Sequence, residues 1–523
     1  MKLLLIIVLA LGIFLRCVNL QLKPYWHDEI FTSLRVSGYT TEEVKQQLYR
    51  GQILGIEELH QYQRLSPEKS AIATIQSLAK EEPQHPPLYF LMMRVWAQWF
   101  GSSIAAMRSL SVTISILSIP LVYWLCLELF TSPLVGWLAS ALFAISPIHI
   151  RFAQEARPYS WWLAIVLLSC IALLRAMHHR TKFNWSIYAL TVAIGLYSHL
   201  FSILVFLGHG IYVLAIERFR LSKATIAYLT ASSVGIVLFT PWLWTIWANK
   251  DISIATTDWT KTPLLFPDLV KIWSLNLSHA FVGWPAQYDR LFVYLGFPIS
   301  ILVLVVAYNL WSRAPRRVWV FILTLMGITT FALLLPDLIL TGRRSTVDRY
   351  FLPVYLGIHL AVAYLLAAQL AVNVKNTFRL RFWQIATAIV LSVGVLSGAI
   401  ASQSSTWWGW SEFGVEVAKI INRSSQPVII SDIPFGVVMP ISYRLQPETK
   451  LVLVSDPNSL KIPDRFSDVF VYNPSDRLKA AIENQNMTSK TIYNFQENTL
   501  AISLHRLESN KVTANSSVRE NHL

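Results

Sequence analysis

The sequence predicts an all-α polytopic membrane protein with a small α/β domain near its C-terminus. Three observations carry this. Of 523 residues, 54% are hydrophobic and only 14% charged, against roughly 25% charged residues in a soluble chain. The mean hydropathy is +0.45, and the apolar residues fall in runs of bilayer length. After about residue 405 the pattern changes to short strand-like and helix-like stretches in alternation.

Crossing a hydrocarbon core about 30 Å thick takes roughly 20 apolar residues, within about 17 to 25. On that measure about eleven transmembrane helices are expected, at 3–20, 106–127, 134–151, 160–177, 184–198, 200–216, 224–246, 291–311, 317–336, 350–371 and 382–401. Met1 to Leu20 reads as a retained signal anchor: no small-residue cleavage site follows, and Arg16 interrupts its end. Leu88 to Phe100 carries Arg94 between Pro86-Pro87 and Gly101. It is short, and reads as an interfacial or tilted helix.

The net charge of +14 does not imply nucleic acid here, because cytoplasmic loops of membrane proteins are rich in Lys and Arg. Eleven spans put Lys2 on the same side as four basic connections: Arg175/Arg180/Lys182, Arg218/Arg220/Lys223, Arg313/Arg316/Arg317 and Lys375/Arg379/Arg381. The N-terminus is therefore expected in the cytoplasm and the C-terminus outside. The segments 21–105, 152–159, 198–199, 247–290 and 337–349 are expected outside as well. The domain organisation follows: a transmembrane domain over 1–404 with a first extracytoplasmic loop at about 21–105, an extracytoplasmic α/β domain over 405–508, and a polar, disordered tail over 509–523. Strands are expected at Val428–Ser431, Leu451–Val454, Val469–Tyr472 and Leu500–Leu504, with helices near Glu412–Asn422 and Asp476–Asn484. Cys17, Cys126 and Cys170 lack metal-ligand spacing and suggest neither a disulfide framework nor a zinc site.

The residues suited to chemistry lie in the expected extracytoplasmic segments. Trp26-His27-Asp28-Glu29 follows the first span. Ionisable groups at a membrane boundary point to function by default, and a carboxylate near apolar walls can act as a general base. The plainer reading is a helix start, with both acids favouring the positive end of its dipole. Glu82 to Phe90 contains His85 in a proline-stiffened entry to a helix. Gln154-Glu155-Ala156-Arg157-Pro158-Tyr159-Ser160 brings an acid and a base into a short loop, and a surface ion pair is its plainer reading. His199 sits at a break with almost no loop, suited to lining a cavity or to a buried structural role. Arg343, Arg344 and Arg349 crowd one loop where basic residues are disfavoured. Guanidinium forks match phosphate geometry, so a lipid phosphate is the natural ligand; snorkelling to anionic headgroups is the plainer reading. Trp259, Trp273, Trp284 and Tyr288 suit either sugar stacking or an interfacial belt.

Taken in order, Arg16, Asn19-Leu20, Trp26-His27-Asp28-Glu29, His85-Pro86-Pro87-Leu88-Tyr89, Gln154 to Ser160, and Asp348-Arg349-Tyr350-Phe351-Leu352-Pro353 resemble the polytopic GT-C glycosyltransferases. The branch is that of the protein O-mannosyltransferases and lipid A aminoarabinose transferases (glycosyltransferase family 39-like), and the resemblance covers roughly 1–370. It implies an enzyme of the plasma (inner) membrane that takes a sugar from a polyprenyl-phosphate carrier to an extracytoplasmic acceptor, which would be protein, lipid or polysaccharide. It implies Asp28 as the base, with Glu29 beside it and Glu155 as a second-loop carboxylate. Arg343, Arg344, Arg349 and Tyr350 would hold the donor phosphate, and His85, Arg157, Tyr159 and His199 would support the pocket. Some relatives bind a divalent metal; no ligand set stands out here, so no metal is expected. The competing readings are a lipid-carrier transporter or flippase, which should show two related halves with broken spans, and a non-catalytic cell-envelope assembly protein.

Overall fold

The computed structural model describes residues 2–283, 289–371, 377–405, 412–463, 466–497 and 500–509. Trp284, Tyr288, Lys375 and the 510–523 tail lie outside the described residues. The chain divides into two compact units, Met1–Leu22 with Leu78–Trp408, and Lys23–Ser77 with Gly409–Leu523.

The first unit is helical. Among the described residues seven helices are long and apolar enough to cross a membrane: Ile104–Phe130, Tyr159–His179, Lys223–Ala248, Tyr294–Arg313, Arg316–Ile339, Asp348–Ala371 and Thr377–Gln403. Pro133–Ile145 and Pro147–Ala153 pass the same test together but are bent by 61°. The expected count of about eleven is not confirmed. The stretches expected at 3–20, 184–198 and 200–216 are helices of 16, 17 and 15 residues, short of the roughly 20 that a straight crossing takes. Leu88–Phe100 is a 13-residue helix.

The bend at Ser146-Pro147 has a clear bond account. Proline at 147 offers no N–H to the carbonyl of Phe143. The Ile148 amide goes to His279 O at 3.3 Å instead of to Ala144. Both orphaned carbonyls are taken by Arg16, whose Nη2 donates to Phe143 O at 3.0 Å and whose Nη1 donates to Ala144 O. Arg16 also donates from Nε to Ser115 Oγ at 2.9 Å and is fully buried. At the far end of the bent segment, Gln154 Nε2 donates to the carbonyls of Leu15 and Val18, each at 2.9 Å. Leu15 lies in the last turn of Lys2–Cys17, where carbonyls lack helical partners, and Val18 follows directly on that helix. The two helices approach closely at Gly12, where a Cβ would lie 2.5 Å from Ala144 O.

The second unit is built on a six-stranded sheet. Its strands are β1 (Arg50–Gly55), β2 (Pro427–Ser431), β3 (Lys450–Val454), β4 (Asp468–Tyr472), β5 (Met487–Glu497) and β6 (Leu500–Ser509), in the order β1-β3-β2-β4-β6-β5. The central three are parallel, β1 and β6 flank them antiparallel, and β5 and β6 form a hairpin. Every residue of β2 is buried, as expected of a strand covered on both faces. One core face comprises Val428, Ile430, Val452, Val454 and Val471, closed by Leu478 and Ile482 of the helix Asp476–Glu483. The expected strands in 428–504 and the two expected helices are present. The sequence reading has no strand at 50–55 or 487–497, because these are mixed polar stretches and lie at the sheet edges. The unit takes in 23–77 as well as the C-terminal region. Tyr49 OH donates to Ile433 O at 2.6 Å, His27 Nδ1 bonds to Gly436 O at 3.1 Å, and His60 Nε2 bonds to Ser442 Oγ at 2.9 Å while its ring stacks on Tyr443.

Gly12→Leu is expected to lower thermal stability in detergent by the equivalent of about 1–3 kcal/mol, as an overpacked contact does; an unchanged midpoint would contradict this helix packing. Burial pushes the His60 imidazole down to about 4 from 6.5, against the pull of Glu57. A folded value below the unfolded one means that the contribution is full above 6.5 and is lost as pH falls toward 4. Amide protection of 427–454 in the full chain, corrected for intrinsic rates, should decline over that window, and His60→Gln should flatten the slope.

Candidate active site

The short helix Pro147–Ala153 delivers Arg151 to one end of the first unit. Arg151 Nε donates to Glu155 Oε1 at 3.0 Å, and its Nη1 donates to Asp348 Oδ2 at 2.7 Å. All three side chains are largely buried. In such surroundings a guanidinium between two carboxylates makes strong charge-assisted bonds. Asp348 Oδ1 in turn accepts from the Arg349 amide at 2.7 Å. Loops 197 residues apart are thereby locked together. Neither Arg151 nor Asp348 is singled out as a site residue by the sequence reading. The available signal was spacing: Arg151 stands four residues before Glu155, and Asp348 adjoins Arg349.

Next to this triad, cations and rings alternate. The Arg157 guanidinium stands over Tyr159 at 5.8 Å, and Arg349 stands over Tyr159 at 6.0 Å and Trp259 at 5.9 Å. Arg343 stands over Trp259 at 6.0 Å. Each is at the limit of about 6 Å within which a ring face attracts a cation. Three guanidinium groups are thus held in series by two shared rings. Tyr350 adds a further ring, 5.5 Å from Arg349. Burial lowers the Arg343 pKa, and its Nε is buried with no hydrogen-bond partner among the described residues.

Arg344 is employed differently. Its Nη1 donates to Asp337 Oδ1 at 3.0 Å, while Asp337 Oδ2 accepts from both the amide and the hydroxyl of Ser345 at 2.6 Å. Trp273 Nε1 donates to Ser345 Oγ at 2.9 Å, Asn276 Nδ2 donates to Thr346 O at 3.0 Å, and the Arg343 amide donates to Thr260 O at 2.9 Å. Gly342 turns the loop at φ +148, where a Cβ would meet Arg344 and Asp337 within 2.6 Å. Arg344 therefore braces the loop that carries Arg343 and Arg349.

His199 caps the break between Lys182–Ser198 and Ser202–Ile216. It stacks on Trp162 at 4.3 Å and lies near Tyr159 and Tyr350. Burial, with His85, Arg157 and Arg349 nearby, pushes its pKa down to about 3. Its Nδ1 accepts from the Phe201 amide at 3.2 Å, so the neutral ring carries its proton on Nε2. His279, also unforeseen, is pushed to about 3 by burial although Asp348 opposes the shift.

Asp28 and Glu29 belong to the second unit. They occupy the first turn of the helix His27–Ser37, Glu29 fully buried and Asp28 half-buried. Two acids in a first turn suit the helix dipole, so the plainer reading of this pair has a structural basis. Among the described residues no group of three or more His, Cys, Asp or Glu side chains could hold a metal ion.

Residues 84–247 match the family model of the dolichyl-phosphate-mannose-protein mannosyltransferases. The resemblance to polytopic glycosyltransferases read from the sequence is borne out over this segment. It contains His85, Arg151, Glu155, Arg157, Tyr159 and His199. No curated protein matches the chain. Solved structures similar to it include ArnT from Cupriavidus metallidurans bound to undecaprenyl phosphate, at 12% identity over 96% of this chain and 97% of that chain, with a TM-score of 0.47. The apo state of ArnT matches at 12% identity over 81% and 87%, with a TM-score of 0.45. The apolar helices make the chain a multi-pass membrane protein.

Asp337→Ala is expected to cost about 3 kcal/mol, because it leaves the buried amide and hydroxyl donors of Ser345 unmet and removes the partner of Arg344. Asp337→Asn, which keeps an acceptor oxygen, should cost less. Thermal unfolding of both variants checks the order, and equal midpoints would contradict it.

Proposed function

We propose that the chain is a glycosyltransferase that moves a sugar from a polyprenyl-phosphate donor to an acceptor outside the cytoplasm, with inversion at the anomeric carbon. The observation that carries this reading is the series Arg343, Trp259, Arg349, Tyr159, Arg157. It concentrates fixed positive charge at one end of the apolar helices. A phosphate leaving from the anomeric carbon gains negative charge as its bond breaks, and preorganised cations favour that change. Arg343 and Arg349 are the proposed phosphate ligands, Tyr350 borders them, and Arg344 acts through the loop. The family match over 84–247 supports the same chemistry.

The bond changes balance with one base. The acceptor hydroxyl or amine attacks the anomeric carbon from the face opposite the phosphate. The bond from that carbon to the phosphate oxygen breaks, and its electron pair stays on the phosphate. Asp28 takes the acceptor's proton, an assignment that rests on the sequence resemblance. No acid is needed for a phosphate leaving group, unlike the two-carboxylate arrangement of glycosidases. Glu155 is proposed to hold Arg151, and neutral His199 to offer its Nε2 proton to a sugar or phosphate oxygen. The N-terminus is proposed to be cytoplasmic, and the site and C-terminus to face outward from a plasma membrane.

Asp28→Asn is expected to lower transfer by about 10²-fold or more, the share of a positioned base, while carrier binding is retained. Arg349→Ala should lower transfer by about 10²-fold through loss of one electrostatic contact, and should also weaken carrier binding. Both are measured with purified protein and radiolabelled polyprenyl-phosphate sugar. Full transfer by Asp28→Asn would remove it as the base. Carrier binding without any transfer by the wild-type protein would favour a carrier transporter.

A further inference from the structure

We infer that Arg16, together with Gln154, is a positioning residue for the Arg151–Glu155–Asp348 triad, and so for the transfer step. The inference rests on the proposed function for its activity readout, but its geometry stands alone. Arg16 is fully buried, and among the described residues its guanidinium bonds only to neutral oxygens: Ser115 Oγ and the carbonyls of Gly12, Phe143 and Ala144. An uncompensated buried cation is costly. Here the helix C-terminus at Ile145 supplies partial negative charge from carbonyls that the bend leaves without amide partners.

The bent segment is tied at both ends to one turn of the helix Lys2–Cys17. Arg16 holds its start through Phe143 and Ala144, and Gln154 holds its end through the carbonyls of Leu15, Arg16 and Val18. Between these ties lies the seven-residue helix Pro147–Ala153, too short to hold a direction by itself. Arg151 stands on it, and Glu155 follows Gln154 directly. The direction of Arg151 toward Asp348 is therefore set by contacts that touch neither partner. The loop bearing Arg343 and Arg349 has its own ties through Asp337, Trp273 and Asn276. Loss of Arg16 should then disturb the triad more than the phosphate ligands, and so the chemical step more than carrier affinity.

The test uses full-length Arg16→Met, Arg16→Lys and Gln154→Met in lipid nanodiscs. Hydrogen exchange by mass spectrometry is followed across 143–157, with Tyr159–His179 and Lys223–Ala248 as references. Transfer from undecaprenyl-phosphate mannose is measured per folded enzyme in parallel. The expected result for Arg16→Met is about tenfold faster exchange confined to 143–157, and kcat lowered by about tenfold or more with donor KM nearly unchanged, as misplacement of about 1 Å suffices to cause. Arg16→Lys should recover part of both, and Gln154→Met, milder for the fold, should show the same pattern. Exchange in 143–157 equal to wild type, or loosening of all helices alike, overturns the inference. So does a rise in KM with kcat unchanged. If the wild-type protein transfers nothing from this donor, that failure falls on the functional reading, and the exchange data still decide the role of Arg16.

Discussion

The architecture of the first unit depends on a broken helix and on what satisfies the break. Proline at 147 and the diversion of the Ile148 amide leave two carbonyls open inside an apolar bundle. An unmet polar group there costs several kcal/mol. Arg16 meets both, and Gln154 returns the favour to the end of the first helix. The exchange makes each helix end the cap of the other. It turns a local defect into the element that projects Arg151 and Glu155, and the missing side chain at Gly12 lets the two backbones come close enough for it.

A second constraint follows from gathering like charges. Arg157, Arg349 and Arg343 repel one another, and a low dielectric strengthens that repulsion. Tyr159 and Trp259 lie between them and present a ring face to the cations on either side. The triad supplies the counter-charge, since Glu155 and Asp348 share a single guanidinium. Asp337 withdraws Arg344 from the group and spends it on the loop. The rings and the triad together let three guanidinium groups stand close to one another.

The second unit shows a different economy of sequence. Its parallel core is made of short apolar runs rich in Val, with Ile in β2, Leu in β3 and Phe in β4, and β2 is buried on both faces. A strand 372 residues upstream of the nearest of these core strands in the chain completes one edge of the sheet, with Gly55 opposite Lys450. The closing loop entropy for so distant a pairing grows only with the logarithm of length, so the separation is no obstacle once side chains such as Tyr49 and His60 find partners in 433–443.

Amino-acid order alone determined the elements whose signals are local. Apolar runs marked the helices, short apolar runs rich in Val with Ile, Leu or Phe marked β2, β3 and β4, and three arginines crowded into one loop stood out by residue type. Segments 84–90, 154–160, 198–199 and 343–350 stand out as candidates for chemistry from residue type and position. Tertiary structure alone decided which partners several of those charges take. It gave Arg344 to Asp337, joined Arg151 to Asp348, and placed residues 23–77 in the sheet-bearing unit. The reason is physical: periodicity and burial are properties of neighbours in the chain, whereas an ion pair or an edge strand is chosen by whatever the completed fold brings within about 3 Å.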